Sequence, residues 1–283
     1  MVYRTLNIHL IDSLREQYGE GEASQLAFLI LEHLTGWDRT KLSLNLLEAA
    51  DQVIEEKAKF ILSELLQGKP VQYILHEAWF FGMKLYVDEN VLIPRQETEE
   101  LIYLIQKEYK AQSSPQRIID LCTGSGCIAI ALKKVFIHSE VTALDISPKA
   151  INVAKGNAKE ERAELQFTEQ DLLVQSFQLP GKYDLIVSNP PYVRQSEMKF
   201  MHDRVNAYEP HLALFVQDED PLKFYNRILK IASTSLNVKG VVYFEINEAF
   251  GNELLKLAAS YSFDAEILKD LKGKDRFLRA IRQ

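Results

Sequence analysis

The sequence of 283 residues predicts an α/β chain whose mostly parallel sheet follows a small helical domain. Three observations carry this. From Arg117 onward, short and nearly continuous apolar runs alternate with amphipathic helical patterns, as strands covered on both faces require. Before Trp79 the pattern is helical only. Between the two regions the period drops to two, with Phe81, Met83, Leu85 and Val87 alternating with other residues. The expected organisation is a helical domain over 1–78, a β-hairpin linker over 79–94 and an α/β domain over 95–283.

In chain order, 24–34 is rich in Leu, Ile and Phe and stops at Gly36. The span 44–66 reads as one helical segment with Val53, Ile54, Ala58, Ile61, Leu62 and Leu65 on one face, ended by Gly68 and then Pro70. In the hairpin, Asp88-Glu89-Asn90 is the turn cluster, Val91-Leu92-Ile93 the returning strand, and Pro94 closes it. Thr98, Glu99 and Glu100 open another helix, with acids where the helix dipole favours them. Strands are expected over 117–121, 140–145, 164–169, 183–188 and 240–246, and helices over 127–135, 148–159, 221–236 and 248–260. Two late segments, 264–269 and 277–281, read as strands at the sheet edge. The stretch 193–219 is long for a loop and is placed to fold over a bound peptide.

Composition narrows the function classes. Hydrophobic residues make up 47% and charged residues 26%, which excludes a disordered or fibrous chain. The net charge is −7, and residues 1–78 hold 7 basic against 12 acidic side chains. A protein that grips nucleic acid by its phosphates carries the opposite sign, so no dedicated nucleic-acid binding is expected. An acidic helical domain suits a basic protein surface better. The longest apolar runs, such as 26–31, are too short to span a bilayer, and the first ten residues show no secretory pattern. Cys122 and Cys127 are too few for a disulfide framework or a four-ligand zinc site, and the six histidines have no ligand spacing; no metal is expected, and a reducing cytoplasm is the simplest compartment.

The chemistry-bearing residues fall at the carboxyl ends of the predicted strands, where open α/β sheets bind ligands. The first strand of the sheet runs into Asp120-Leu121-Cys122-Thr123-Gly124-Ser125-Gly126 and a helix follows. Glycines there let a ligand approach the backbone. Asp145 ends the next strand, 19 residues past Gly126, where a carboxylate accepts hydrogen bonds from a ribose diol. Asp171 and Leu172 follow the third strand, placed to accept from an adenine amine and to pack on its ring. This fits a nucleoside-type ligand, either a nicotinamide dinucleotide, since Gly124 to Ala129 matches G-x-G-x-x-A, or S-adenosylmethionine, which uses the same ribose acid without a pyrophosphate. A tight strand–helix turn with a solvated Asp145 is the bland alternative.

At the end of the fourth strand sits Ser188-Asn189-Pro190-Pro191-Tyr192. Two prolines stiffen the turn and donate nothing to a ladder. The Asn189 side-chain oxygen and the Pro190 carbonyl are acceptors that suit the two hydrogens of an –NH₂ group. They would favour charge developing on that nitrogen while it is aimed at a sulfonium methyl. Tyr192 is expected to form an aromatic wall beside the substrate.

With these motifs placed, the chain resembles the HemK/PrmC family of protein-glutamine N5-methyltransferases. The likeness rests on Gly68-Lys69-Pro70-Val71-Gln72-Tyr73-Ile74, Phe80-Phe81-Gly82, Val91-Leu92-Ile93-Pro94-Arg95 with Glu97-Thr98-Glu99, Asp120 to Gly126, Asn189 to Tyr192, Glu209-Pro210 with Ala213-Leu214, and Gly273-Lys274-Asp275-Arg276. It implies a Rossmann-like S-adenosylmethionine-dependent methyltransferase sheet. It also implies methyl transfer to the glutamine of the G-G-Q motif of class-I peptide-chain release factors, in support of translation termination. By position, Cys122, Thr123, Gly124, Ser125, Gly126, Asp145, Leu172 and Asn189 would contact the donor, with Asp171 beside the adenine. Asn189, Pro190, Pro191 and Tyr192 would hold the glutamine, and the N-terminal helices would grip the release factor. Gln96, His76, Asn247 and Phe250 depart from the family pattern. The rival acceptors are a ribosomal-protein glutamine or an exocyclic amine of adenine or guanine in nucleic acid.

Overall fold

The computed structural model describes residues 1–110 and 113–283, which divide into two compact units, Met1–His76 and Glu77–Gln283. The first unit is helical: α1 (Tyr3–Thr35), α2 (Arg39–Leu44), α3 (Gln52–Leu66) and α4 (Val71–Leu75). Gly19 interrupts α1 with φ 75°, and Gly36 caps it in the left-handed conformation. Of the segment read as one helix over 44–66, residues 45–51 are non-helical, and the side chain of Asp51 accepts from the Val53 amide to start α3. Val53 therefore lies in the first turn and is exposed, while Ala58, Ile61, Leu62 and Leu65 are buried against Leu6, Leu10, Ile30 and Leu31 of α1. His76 ends α4 at φ 55°, a left-handed position where glycine is the unstrained choice.

The second unit opens with a hairpin of β1 (Ala78–Phe80) and β2 (Met83–Leu85). Its turn is Phe81-Gly82, both at positive φ, as a two-residue hairpin of right-handed twist requires. The expected turn at Asp88–Asn90 exists, with Asp88 Oδ1 accepting from the Asn90 amide, but Val91–Ile93 does not return as a strand. Val91 and Ile93 are simply buried. Helix α5 (Gln96–Tyr109) follows.

The sheet is then laid down as β3 (Arg117–Leu121), α6 (Cys127–Val135), β4 (Glu140–Asp145), α7 (Pro148–Glu160), β5 (Gln166–Glu169) and β6 (Tyr183–Ser188). The stretch 193–219 is not a bare loop. It holds β7 (Val193–Arg194), a 3-10 turn (Gln195–Phe200), α8 (Asp203–Tyr208), α9 (His211–Leu214) and β8 (Phe215–Val216), with β7 and β8 paired in parallel. The chain ends with α10 (Lys223–Ser235), β9 (Leu236–Glu245), a 3-10 turn (Glu248–Phe250), α11 (Gly251–Ser260), β10 (Phe263–Lys269) and β11 (Asp275–Arg282). The single helix expected over 248–260 is thus a 3-10 turn and then a helix, because Asn247 caps the former through the Ala249 amide.

The seven strands lie in the order β10-β11-β9-β6-β3-β4-β5, parallel from β9 to β5, with β11 antiparallel to both its neighbours. Successive strand residues go to opposite faces. Ile118, Val187 and Tyr243 join α5 and α6 on one side, and Ile119, Ile186 and Phe244 join α10 and α11 on the other. Burial of each such side chain contributes about 1.5–3 kcal/mol. After β5 the chain crosses to the other side of β3, so the connections that leave β3 and its neighbour β6 depart in opposite directions and leave a crevice between their carboxyl ends. Among the described residues no helix is long and apolar enough to cross a membrane.

Gly126 joins β3's loop to α6 at φ 82°, and a Cβ there would stand 3.0 Å from the Ala154 Cβ on α7. The backbone conformation and the close helix both demand glycine. Gly126→Ala is expected to lower stability by about 2 kcal/mol, read as a fall in the urea midpoint; an unchanged midpoint would contradict this packing.

Candidate functional site

A cavity of about 340 Å³ opens at the carboxyl ends of β3, β4, β5 and β6. Cys122, Thr123, Gly124, Ser125, Asp145, Asp171, Leu172, Asn189 and Pro191 all line it. Gly126, Pro190 and Tyr192 do not. Gly126 works by packing instead, and the Pro190 side chain is buried.

The glycine loop is held from both sides. Cys122 takes φ 63° and Gly124 φ 53°, turning the chain sharply off β3. The Thr123 amide donates to the Leu144 carbonyl at 2.9 Å, and its hydroxyl donates to Asp120 Oδ2 at 2.6 Å. Asp120 is fully buried, its other oxygen has no partner, and desolvation pushes its carboxyl up to about 7. Burial also raises the Cys127 thiol, to about 12, and lifts Cys122 well above its ordinary value. Both thiols are therefore neutral fillers, not nucleophiles.

Asp145 accepts from the Gly124 amide at Oδ2 and from the Ser147 amide at Oδ1, each at 2.9 Å. Each oxygen keeps a second lone pair for a ligand hydroxyl. Burial raises its pKa above the usual carboxylate value, and the backbone amides partly oppose this. Asp171 Oδ1 accepts from the Leu173 amide at 2.8 Å, forming an Asx turn that leaves Leu172 4% exposed beside the cavity.

The loop after β5 is fixed by a residue that carries no local sequence signal. Arg227 on α10 donates from Nε to the Leu172 carbonyl at 2.6 Å and from Nη2 to the carbonyls of Val174 at 2.7 Å and Phe177 at 2.8 Å. A guanidinium is the side chain whose fan of donors can do this.

The turn after β6 is equally constrained. The Ser188 hydroxyl donates to the Leu121 carbonyl at 2.6 Å, fastening the ends of β6 and β3. Asn189 Nδ2 donates to Thr98 Oγ1 at 3.3 Å. Among the described residues nothing engages Asn189 Oδ1 or the Pro190 carbonyl. The Tyr192 hydroxyl donates to Glu245 Oε1 at 3.0 Å, and its half-buried ring packs against the core on the α10 face. Glu245, at the end of β9, is 2% exposed; burial raises its carboxyl, opposed by the Thr98 and Tyr192 hydroxyls and by the Arg276 charge. Asn247, a departure from the family pattern, donates to the Tyr192 carbonyl and to Glu197. On the far rim, Arg95 pairs with the buried Glu209 at 2.5 Å, and Glu209 also accepts from the Ile93 amide.

Arg227→Ala removes the three strong donors that hold the loop carbonyls. Amide exchange across 172–177 should quicken by about tenfold or more, since each lost bond to a charged donor is worth roughly 1.5–3 kcal/mol. Hydrogen-exchange mass spectrometry that showed the loop as protected as before would contradict this role.

Comparison with known proteins agrees with this geometry. Residues 98–213 match the methyltransferase small domain and residues 8–75 match the PrmC N-terminal domain. The release factor glutamine methyltransferase of Flavobacterium psychrophilum is 40% identical over 282 residues, 99% of each chain. That of Bacteroides thetaiotaomicron is 38% identical over 281 residues, 98% of this chain and 99% of its own. A methyltransferase from Pyrococcus furiosus shares the fold at a TM-score of 0.53 and 15% identity, over 78% of this chain and 96% of that one. With near-complete coverage on both sides, the chain belongs to the release factor glutamine methyltransferase family.

Proposed function

We propose that this protein transfers a methyl group from S-adenosylmethionine to the side-chain amide nitrogen of the glutamine in the G-G-Q motif of class-I release factors, in the cytoplasm. The observation that carries this is the free Oδ1 of Asn189, held at the rim of a nucleoside-sized cavity by a rigid turn. S-adenosylmethionine supplies an electrophilic methyl carried on a positively charged sulfur.

The residues present suit that donor. The positive φ at Gly124 opens the backbone of the loop, and Asp145 offers two lone pairs toward a ribose diol. Leu172 presents an apolar surface for an adenine, and Asp171 stands beside it with one oxygen outside the Asx turn.

At the acceptor side, an amide nitrogen is a weak nucleophile because its lone pair is delocalised. Asn189 Oδ1 and the Pro190 carbonyl each accept one hydrogen of the –NH₂ group. This orients the lone pair and stabilises the positive charge that grows on nitrogen as the new bond forms. The nitrogen then sheds one proton to solvent, giving the neutral N-methyl amide. The N-terminal unit carries the acidic surplus and exposes Leu44, Leu47 and Phe60, a surface suited to a protein partner.

Asn189→Ala is expected to lower transfer by roughly 100-fold or more, while the donor pocket remains partly usable. The check is mass-spectrometric location of the methyl on a purified release factor, with a factor lacking the glutamine as control. Transfer at the wild-type rate by the variant, or methyl on the control factor, would overturn the assignment. Asp145→Ala should weaken donor binding by about tenfold or more, since ribose hydroxyls lose their acceptor; calorimetry showing equal affinity would contradict the pocket.

A further inference from the structure

The Asn189 carboxamide is useful only if its oxygen, not its nitrogen, faces the acceptor. Rotation by 180° about its last bond exchanges the two at little steric cost, so something must choose. The choice is visible behind the turn. Thr98, on the first turn of α5, is 2% exposed, and its hydroxyl lies 2.6 Å from Glu245 Oε2 and 3.3 Å from Asn189 Nδ2. A hydroxyl has one hydrogen. Drawn to the carboxylate, that hydrogen leaves Thr98 Oγ1 facing Asn189 with lone pairs alone. Only the Nδ2 end of the carboxamide can meet it, and Oδ1 must point the other way. Glu245 is itself held, because its second oxygen takes the Tyr192 hydroxyl at 3.0 Å and its main-chain carbonyl takes the Tyr225 hydroxyl at 3.0 Å.

We infer that Thr98 is a positioning residue for methyl transfer: its hydroxyl, polarised by the buried Glu245, locks the Asn189 carboxamide with its oxygen toward the acceptor nitrogen. The inference rests on the proposed glutamine reaction for its readout. The groups involved come from three separate parts of the second unit, α5, the β6 turn and the end of β9, and 147 residues separate Thr98 from Glu245. Nothing in a helix N-terminus requires a buried threonine with these two partners, since the capping role there falls on other positions and α5 has no side-chain cap bond.

The test compares Thr98→Val with Thr98→Ser in the full-length protein. Valine keeps the shape and removes the hydroxyl, so Asn189 is free to flip. Its kcat on a release factor should fall roughly tenfold or more, while calorimetric affinity for S-adenosylmethionine stays within about twofold. Serine restores the hydroxyl and should restore kcat to within about threefold of wild type. If Thr98→Val does not fold, Thr98→Ala carries the same comparison with less strain. A valine or alanine variant as fast as wild type, or a serine variant as slow as valine, would overturn the role. Wild-type protein that methylates no release factor would overturn the proposed function instead, so the two failures are distinct.

Discussion

Everything at this site depends on the reversal of direction at β3. Strands β4 and β5 are laid down on one side of it, and β6 and β9 on the other. Two crossovers that leave in opposite directions cannot cover the strand end between them, so the crevice is a consequence of strand order and not of any side chain. The glycine loop fills the floor because it is the first turn out of β3. Ser188 closes the seam by bonding across to the Leu121 carbonyl. The cavity is thus bounded by backbone whose position is set by the sheet, which is why small side-chain changes around it can alter chemistry without dissolving it.

Three carboxylates, those of Asp120, Asp145 and Glu245, lie buried or nearly so around this crevice, and desolvation lifts all three. None forms a direct salt bridge among the described residues. They are held by amide N–H groups and hydroxyls: Gly124 and Ser147 at Asp145, Thr123 at Asp120, Thr98 and Tyr192 at Glu245. Such donors stabilise the charge less than a guanidinium would, but they leave lone pairs available and cover little space. Arginine is used to hold the rim at Glu209 and to clasp the loop after β5 through Arg227.

Sequence patterning exposed the strands of the sheet and the four loops at their carboxyl ends, because apolar runs and glycine or proline punctuation are local signals. The hairpin was misregistered for an equally local reason. The alternation of Phe81, Met83 and Leu85 counts Phe81 as a strand residue, whereas it occupies the turn at φ 50° and packs on Tyr103 with ring centroids 4.8 Å apart. A bulky residue in that conformation is not what turn chemistry suggests. Arg227 was illegible because its partners are main-chain carbonyls some 50 residues earlier, which carry no residue type. Thr98 read as an ordinary helix start, since its two partners lie 91 and 147 residues away. Tyr192 sits in a motif that suggests substrate contact, yet the acid that claims its hydroxyl is on another strand.

The arrangement of hydrogens around the β6 turn explains why it should select an –NH₂ group. Pro190 and Pro191 have no N–H to offer. The Ser188, Thr98 and Tyr192 hydroxyls each direct their one hydrogen inward, to the Leu121 carbonyl and to the two oxygens of Glu245. Asn189 directs Nδ2 inward as well. What these bonds leave free on the Asn189 side chain is its acceptor oxygen. A bare carbonyl or carboxylate brought there would meet lone pairs with lone pairs and lose its water without compensation. A hydroxyl could satisfy one acceptor, whereas a carboxamide or arylamine nitrogen carries two hydrogens and can satisfy two. On the proposed reading, selectivity for that nitrogen follows from its pairing with the Asn189 oxygen and the Pro190 carbonyl.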